Sequence, residues 1–246
     1  MSSRVGGRLP FDERGGLVVL VDPGRSTPDD AFALATRAAD AGACGFLIGD
    51  SLGRGDSVAA HVAAIRAGAP DAPVVQFPAS AAELSSHVDA VLFLVLLSGR
   101  NPRYLIEEQL GAVPFFEQHP HVTAVSTAYL LIDGGRRSSV ELVTGTRPLG
   151  PDDSASIAQH VRAGQLMGMH ATYLEAGSGA VRAVSPRVIE AAREATAGPL
   201  VVGGGITTAL GAGDARRAGA DYVVIGTLFE HEPASAVHTL AAAARA

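Results

Sequence analysis

Tyr173-Leu174-Glu175-Ala176-Gly177-Ser178-Gly179-Ala180 is an apolar strand that runs into a glycine-rich turn and carries one carboxylate at its end. One strand-helix unit later, Pro199-Leu200-Val201-Val202-Gly203-Gly204-Gly205-Ile206 is a second buried strand that ends in three glycines. Polar groups on glycine turns at the C-terminal ends of successive apolar strands describe the rim of a parallel barrel that holds a small phosphorylated molecule.

Outward from this pair, short β-rich runs alternate with Ala-rich helical stretches. The strands read as 17–21, 45–48, 73–77, 90–96, 128–132, 171–174, 200–202 and 222–225. Helices fall at about 28–41, 56–67, 102–116, 153–167, 186–196, 208–218 and 233–245, with only a short polar helix or loop at 80–87. Thr27, Pro28, Asp29 and Asp30 form the start signal of the first helix, and Asn101 caps the helix after strand 4. The unbroken alternation predicts an α/β fold with a single (β/α)8 TIM barrel over 17–246, preceded by a flexible N-terminal arm at 1–16. An open doubly wound sheet is the competing fold, but glycines in G-x-G-x-x-G spacing after strand 1 are missing. The stretch 133–153 is long for a loop in such a fold, which marks a functional excursion.

The chain has 246 residues, the usual barrel length, with 47% hydrophobic and 18% charged residues. Its net charge of -6 argues against a nucleic-acid partner, while small anions remain within reach of backbone N–H groups and arginines. All nineteen basic residues counted as Lys or Arg are arginine, which removes every Schiff-base lysine mechanism. The single Cys44 has no intramolecular partner for a disulfide, no signal peptide is legible before strand 1, and no transmembrane segment is present, so cytoplasm is the expected compartment. His119-Pro120-His121 lacks a companion cluster and reads as surface rather than a metal site.

In a barrel the C-terminal strand ends converge, which gathers Asp22, Asp50, Ser51, Phe77, Ser98, Tyr173, Glu175, Gly177, Ser178, Gly203 to Gly205, Gly226 and Thr227 on one face. Tyr173 to Ala180, Gly203 to Ile206 and Ala220-Asp-Tyr-Val-Val-Ile-Gly226, in that order, resemble the geranylgeranylglyceryl phosphate synthase family and its bacterial heptaprenylglyceryl phosphate synthase relatives. The resemblance extends through Val21-Asp-Pro23, Ile48-Gly-Asp-Ser51, Phe77-Pro78, Ser98 and Asn101-Pro102, about residues 17–230. It implies a Mg2+-dependent prenyltransferase that joins an allylic diphosphate to a hydroxyl of a phosphorylated three-carbon acceptor.

By that resemblance Gly204, Gly205, Gly226 and Thr227 cradle the phosphate. Tyr173, Leu174, Glu175, Ala176, Gly177, Ser178 and Gly179 hold the acceptor, and Asp22 and Ser51 contact Mg2+. Glu175 is the carboxylate placed to orient or deprotonate the hydroxyl, with Tyr173 beside it. Phe77 and Tyr104 fall along the prenyl groove. Relatives also imply a homodimer, and a prenylated product implies transient membrane contact on release.

The chain departs from the family at Leu20, where many relatives carry a lysine that meets the acceptor, and at Arg25, Asp50, Leu97-Ser98 and Thr227. Such changes favour farnesyl transfer to 3-phosphoglycerate, as in the branch resembling the moenomycin-type phosphoglycolipid prenyltransferase. There Arg25, Asp50 or an arginine of the 133–150 loop would contact acceptor or diphosphate. The alternatives are sn-glycerol 1-phosphate as acceptor, and a barrel that binds a phosphorylated or lipid ligand without catalysis. A sugar-phosphate isomerase or lyase would share the cradle but need no apolar groove.

Overall fold

A computed structural model describes residues 7–49, 58–226 and 234–245. The strands are β1(Gly16–Val21), β2(Gly45–Ile48), β3(Val74–Gln76), β4(Ala90–Leu96), β5(Thr123–Leu131), β6(Ala171–Glu175), β7(Leu200–Gly203) and β8(Tyr222–Ile225). All pair in parallel and in sequence order, and β8 closes on β1 with Leu17 opposite Val223. The fold is the (β/α)8 barrel that the alternation predicts.

Helices α1(Pro28–Asp40), α2(Val58–Gly68), α3(Glu107–Gln118), α4(Ser139–Thr144), α5(Ser154–Leu166), α6(Pro186–Ala195), α7(Ala209–Arg217) and α8(Ala234–Arg245) surround it. Strand side chains alternate between two cores. Leu17, Val19, Leu174 and Val202 point outward under the helices, whereas Val18, Leu47, Leu92, Tyr129, Tyr173 and Val201 fill the barrel. Thr27 caps α1 as expected: its hydroxyl accepts from Asp30 N at 3.2 Å and the Asp30 carboxylate accepts from Thr27 N at 2.9 Å.

The N-terminal arm differs from the sequence reading. The stretch read as a loose arm is packed from Leu9 onward: Leu9 and Phe11 are buried in the barrel interior, and the Phe11 ring meets Tyr222 edge-on at 5.4 Å. The Tyr222 hydroxyl donates to Asp12 O at 3.1 Å. These residues close the N-terminal end of the barrel, because two large apolar side chains gain more from burial there than a free arm gains in entropy.

The third crossover is no full helix but a single 3-10 turn, Ala81–Glu83. Buried Gln76 organises it, donating through Nε2 to Glu83 O at 2.7 Å and accepting at Oε1 from Ser85 N at 2.8 Å. Without a helix over this sector, Phe93, Leu94 and Val95 on β4 stay only partly buried. The barrel wall is therefore open between the third crossover and α3.

The excursion after β5 contains α4, whose cap Ser138 accepts from Glu141 N at 3.1 Å, and it returns through a parallel bridge between Ile132 and Leu149. It arches over the C-terminal end of the barrel. No helix among the described residues is long and apolar enough to cross a membrane.

Candidate active site

Two cavities open at the C-terminal end of the barrel. The first is lined by Tyr173, Glu175, Gly177, Ser178, Gly179, Gly204, Gly205 and Gly226, among others. The opening pair of motifs builds most of it. On β6, period-2 alternation turns Tyr173 and Glu175 inward and sends Leu174 and Ala176 into the outer core. Leu174 and Ala176, expected at the acceptor, therefore offer no side chain to this cavity.

Glu175 is the electrostatic centre. It is buried, and its Oε1 accepts from Gly177 N at 2.6 Å. Burial pushes its carboxyl up to about 6, against the opposing pull of the Gly177 N–H and then of the nearby Tyr173 hydroxyl. Tyr173 stands within electrostatic reach of the carboxylate, but its hydroxyl makes no hydrogen bond of ordinary geometry. The Tyr129 hydroxyl is likewise buried without a partner. Desolvation, reinforced by the Glu175 charge, raises both phenols, so both are protonated donors at neutral pH.

Buried donors without acceptors are costly in a finished core and serve in a site that awaits a polar ligand. Sequence reasoning misses Tyr129. The signal was its place in β5, directly opposite Tyr173, with Leu131 opposite Glu175.

The glycines are there for space. At Gly204, with φ of 81°, a Cβ would lie 2.5 Å from Glu175 Oε1 and 2.7 Å from Gly177 N. Only glycine lets the β7 turn approach the carboxylate this closely. Among the described residues, none that lines the cavity is basic. Leu20, where relatives are expected to carry lysine, packs against Gly226, its Cβ 3.7 Å from the position a Cβ would take there. At the rim, an Arg136 guanidinium nitrogen lies 3.7 Å from the corresponding point at Gly179.

The second cavity is an apolar groove that uses the opening left by the short third crossover. Phe77, Leu84, Phe93, Tyr104, Ala112 and Phe116 are among its walls. The edge-on pair Phe93 and Phe116, 5.8 Å between centroids, stands against its far part. Leu20, Phe77, Tyr129, Val140 and Ser178 line both cavities, so polar site and apolar groove meet at these residues. Three aromatic rings mark that junction: Phe77 stacks on Tyr173 at 5.2 Å, and Tyr129 meets each edge-on at 5.6 Å.

Asp22 lines the groove at the end of β1. Its Oδ1 accepts from Gly24 N at 2.8 Å, and Arg25 Nε lies 3.4 Å from Oδ2. Arg25 therefore answers Asp22 and lines neither cavity, which removes it as a ready contact for an acceptor. Asp50, Ser51 and Thr227 lie outside the described residues. Among the described residues no three His, Cys, Asp or Glu side chains converge as a metal cage. The Asp22 carboxylate is of a kind that suits Mg2+, which takes one or two protein carboxylates and otherwise phosphate oxygens and water.

Comparison with known proteins gives this geometry a family. Over 220 residues the chain is 37% identical to a geranylgeranylglyceryl phosphate synthase of Spirosoma linguale, covering 89% of this chain and 88% of that protein. It is 32% identical to the protein of the same name from Thermofilum pendens, over 87% and 82% of the two chains. The crystal structure of (S)-3-O-geranylgeranylglyceryl phosphate synthase from Thermoplasma acidophilum in complex with sn-glycerol-1-phosphate superposes with a TM-score of 0.88 at 28% identity, covering 94% of this chain and 93% of that one. The PcrB family model matches residues 11–244, and the chain belongs to the PcrB family.

Proposed function

We propose that this protein transfers a geranylgeranyl group from its diphosphate to a hydroxyl of sn-glycerol 1-phosphate, forming an ether. The observation that carries the reading is the junction: a polar cavity with one buried carboxylate opens directly into an apolar groove at Leu20, Phe77 and Tyr129. A sugar-phosphate isomerase or lyase has no use for such a groove.

The preference for 3-phosphoglycerate loses its support. The similar proteins carry names built on glyceryl phosphate, and one of them was solved with sn-glycerol-1-phosphate. Among the described residues the cavity also has no basic side chain to receive a further carboxylate, and Arg25 is engaged by Asp22.

In this reading the acceptor phosphate sits on the backbone of Gly204, Gly205 and Gly226, with Arg136 at the rim, and its hydroxyl points toward Glu175. The allylic chain lies in the groove with C1 at the junction. As the bond from C1 to the diphosphate oxygen breaks, the electron pair leaves with the diphosphate. The acceptor oxygen then forms the new bond to C1, and Glu175 takes the hydroxyl proton. The faces of Phe77, Tyr129 and Tyr173 border the cation-like carbon, and the apolar walls keep out water that would otherwise capture it. Mg2+, held by Asp22 and the diphosphate oxygens, would neutralise charge on the leaving group.

The test is incubation with Mg2+, farnesyl or geranylgeranyl diphosphate, and either sn-glycerol 1-phosphate or 3-phosphoglycerate, read by mass spectrometry. The expected product is geranylgeranylglyceryl phosphate. Ether formed only on 3-phosphoglycerate would reverse the choice of acceptor. Acceptor binding by calorimetry without ether from any pair would leave a binding protein.

A further inference from the structure

The lip of the apolar groove is itself apolar and faces outward. Ile106, Leu142, Val143 and Val181 are 51%, 56%, 48% and 74% exposed, an unusual concentration of bare aliphatic side chains at the rim of one site. They lie on the loops that follow β4, β5 and β6, which are tied into one surface. The Tyr104 hydroxyl donates to Val143 O at 3.4 Å, Asn101 Nδ2 to Thr144 O at 3.3 Å, and Val181 N to Gly134 O at 2.9 Å. Leu110 and Val113, also exposed, extend the surface down α3 from Ile106 at i+4 and i+7 spacing.

Charge accompanies it. Arg136, Arg147 and Arg182, on the same loops, are exposed and form no ion pair among the described residues. The neighbouring carboxylates of Glu108 and Glu141 are taken up by Arg103 and Arg137. In a chain of net charge -6, this sector sets unpaired guanidinium groups beside aliphatic side chains.

We infer that this lip docks on the surface of an anionic lipid bilayer, inserting Leu142, Val143 and Val181 between headgroups while Arg147 and Arg182 bind lipid phosphates. Aliphatic side chains flanked by arginine are the chemistry of interfacial binding. Continuity with the groove points to the same occupant, because Val143 and Tyr104 belong to both the lip and the groove wall. A hydrocarbon chain leaving the groove would pass into the bilayer without crossing water. A second copy fits less well: it brings no phosphate to these guanidinium groups, and Glu108 and Glu141 of this face are already paired with Arg103 and Arg137.

The role in chain release rests on the prenyltransfer reading, but the surface is tested without it. Wild-type protein is sedimented with vesicles of phosphatidylcholine alone and of phosphatidylcholine mixed with phosphatidylglycerol. Binding to the mixed vesicles is expected to be at least about tenfold stronger and to fall with added salt. Leu142→Ser combined with Val181→Ser should lower that binding by about tenfold. These residues line neither cavity, so turnover of detergent-dispersed substrate should stay at the wild-type level. Arg147→Glu should weaken vesicle binding and its salt dependence together.

Equal binding to both vesicle types, or none to either, would overturn the inference with no variant needed. So would a double variant whose only change is a smaller assembly by sedimentation velocity, because the face would then belong to a second copy. Loss of ether synthesis in the wild type with vesicle binding intact would instead remove the prenyltransfer reading and leave the surface.

Discussion

The strand pairs β3 with β4 and β7 with β8 are built alike at one end and unlike at the other. Ahead of β4, Asp89 accepts from Val74 N, the first residue of β3, at 2.8 Å and from Arg66 of the last turn of α2 at 3.0 Å. Ahead of β8, Asp221 accepts from Leu200 N, the first residue of β7, at 2.7 Å and from Arg193 of the last turn of α6 at 2.8 Å. Each arginine also holds a nearby carbonyl, His87 O in one case and Gly198 O in the other. At the opposite end the likeness stops. β7 ends in glycines that press against Glu175, whereas β3 leads into a single 3-10 turn that leaves the wall open for the apolar groove. One clamp holds both strand pairs in register, and the ligand chemistry comes from how much chain is laid over each.

The sharpest break of this comparison is at Glu175, the carboxylate against which the glycine end is built. Glu175→Gln keeps an acceptor for Gly177 N but cannot take a proton, so turnover should fall by roughly 10²- to 10⁴-fold with little change in the affinity for prenyl diphosphate. The wild-type profile of kcat/KM should show an acid limb near the raised value of about 6, absent from the variant. A variant with near-normal turnover and an intact limb would assign the base elsewhere. Gly204→Ala attacks only the glycine end, since its Cβ would meet Glu175 and Gly177. It should raise the acceptor KM by about a hundredfold and spare prenyl binding. Ala112→Phe attacks only the groove end and should shift preference toward the shorter diphosphate by about tenfold, with the acceptor KM unmoved.

The clamps should behave as equivalents. Asp89→Ala and Asp221→Ala each strip a strand N–H and an arginine of a charged acceptor, and each should cost about 2–3 kcal/mol in urea unfolding. If only one of them destabilises the chain, the likeness of the two strand pairs is one of appearance.

Much of this was legible in the sequence, and the exceptions have physical causes. Strand and helix periodicity placed the eight strands, and β2, β4 and β8 fall at the expected residues. Glycine turns after strands placed Glu175, Gly177, Gly204, Gly205 and Gly226 around one cavity. What stayed hidden depends on tertiary contact. Phe11 looks like part of a polar arm until Tyr222 is beside it. Tyr129 is one more aromatic strand residue until its hydroxyl is seen without a partner. Leu174 and Ala176 share a motif with Glu175 but not its face of the strand. The preference for 3-phosphoglycerate rested on Leu20 and Arg25, but substitutions at a rim report a change of contacts without naming the ligand, and Arg25 answers Asp22.

The smallest expected effect tests whether the carboxylate is a strained part of the site. Its folded value of about 6 exceeds the ordinary 4.5 because burial disfavours the charged form. The folded protein therefore holds this proton more tightly than the unfolded chain. Stability on this account is greatest below the unfolded value and declines as pH rises through the folded one. A shift of this size corresponds to up to about 2 kcal/mol lost at pH 8. Glu175→Gln is never charged and escapes the loss while still accepting from Gly177 N. In urea unfolding the variant should be more stable than wild type by about 2 kcal/mol at pH 8 and by less than about 1 kcal/mol at pH 5. A variant less stable than wild type at pH 8 would mean that the ionised carboxylate is held by favourable contacts. Glu175 would then be a structural anchor of the β6 turn, and the glycine end of the barrel would lose its claim to be a site kept under tension for a ligand.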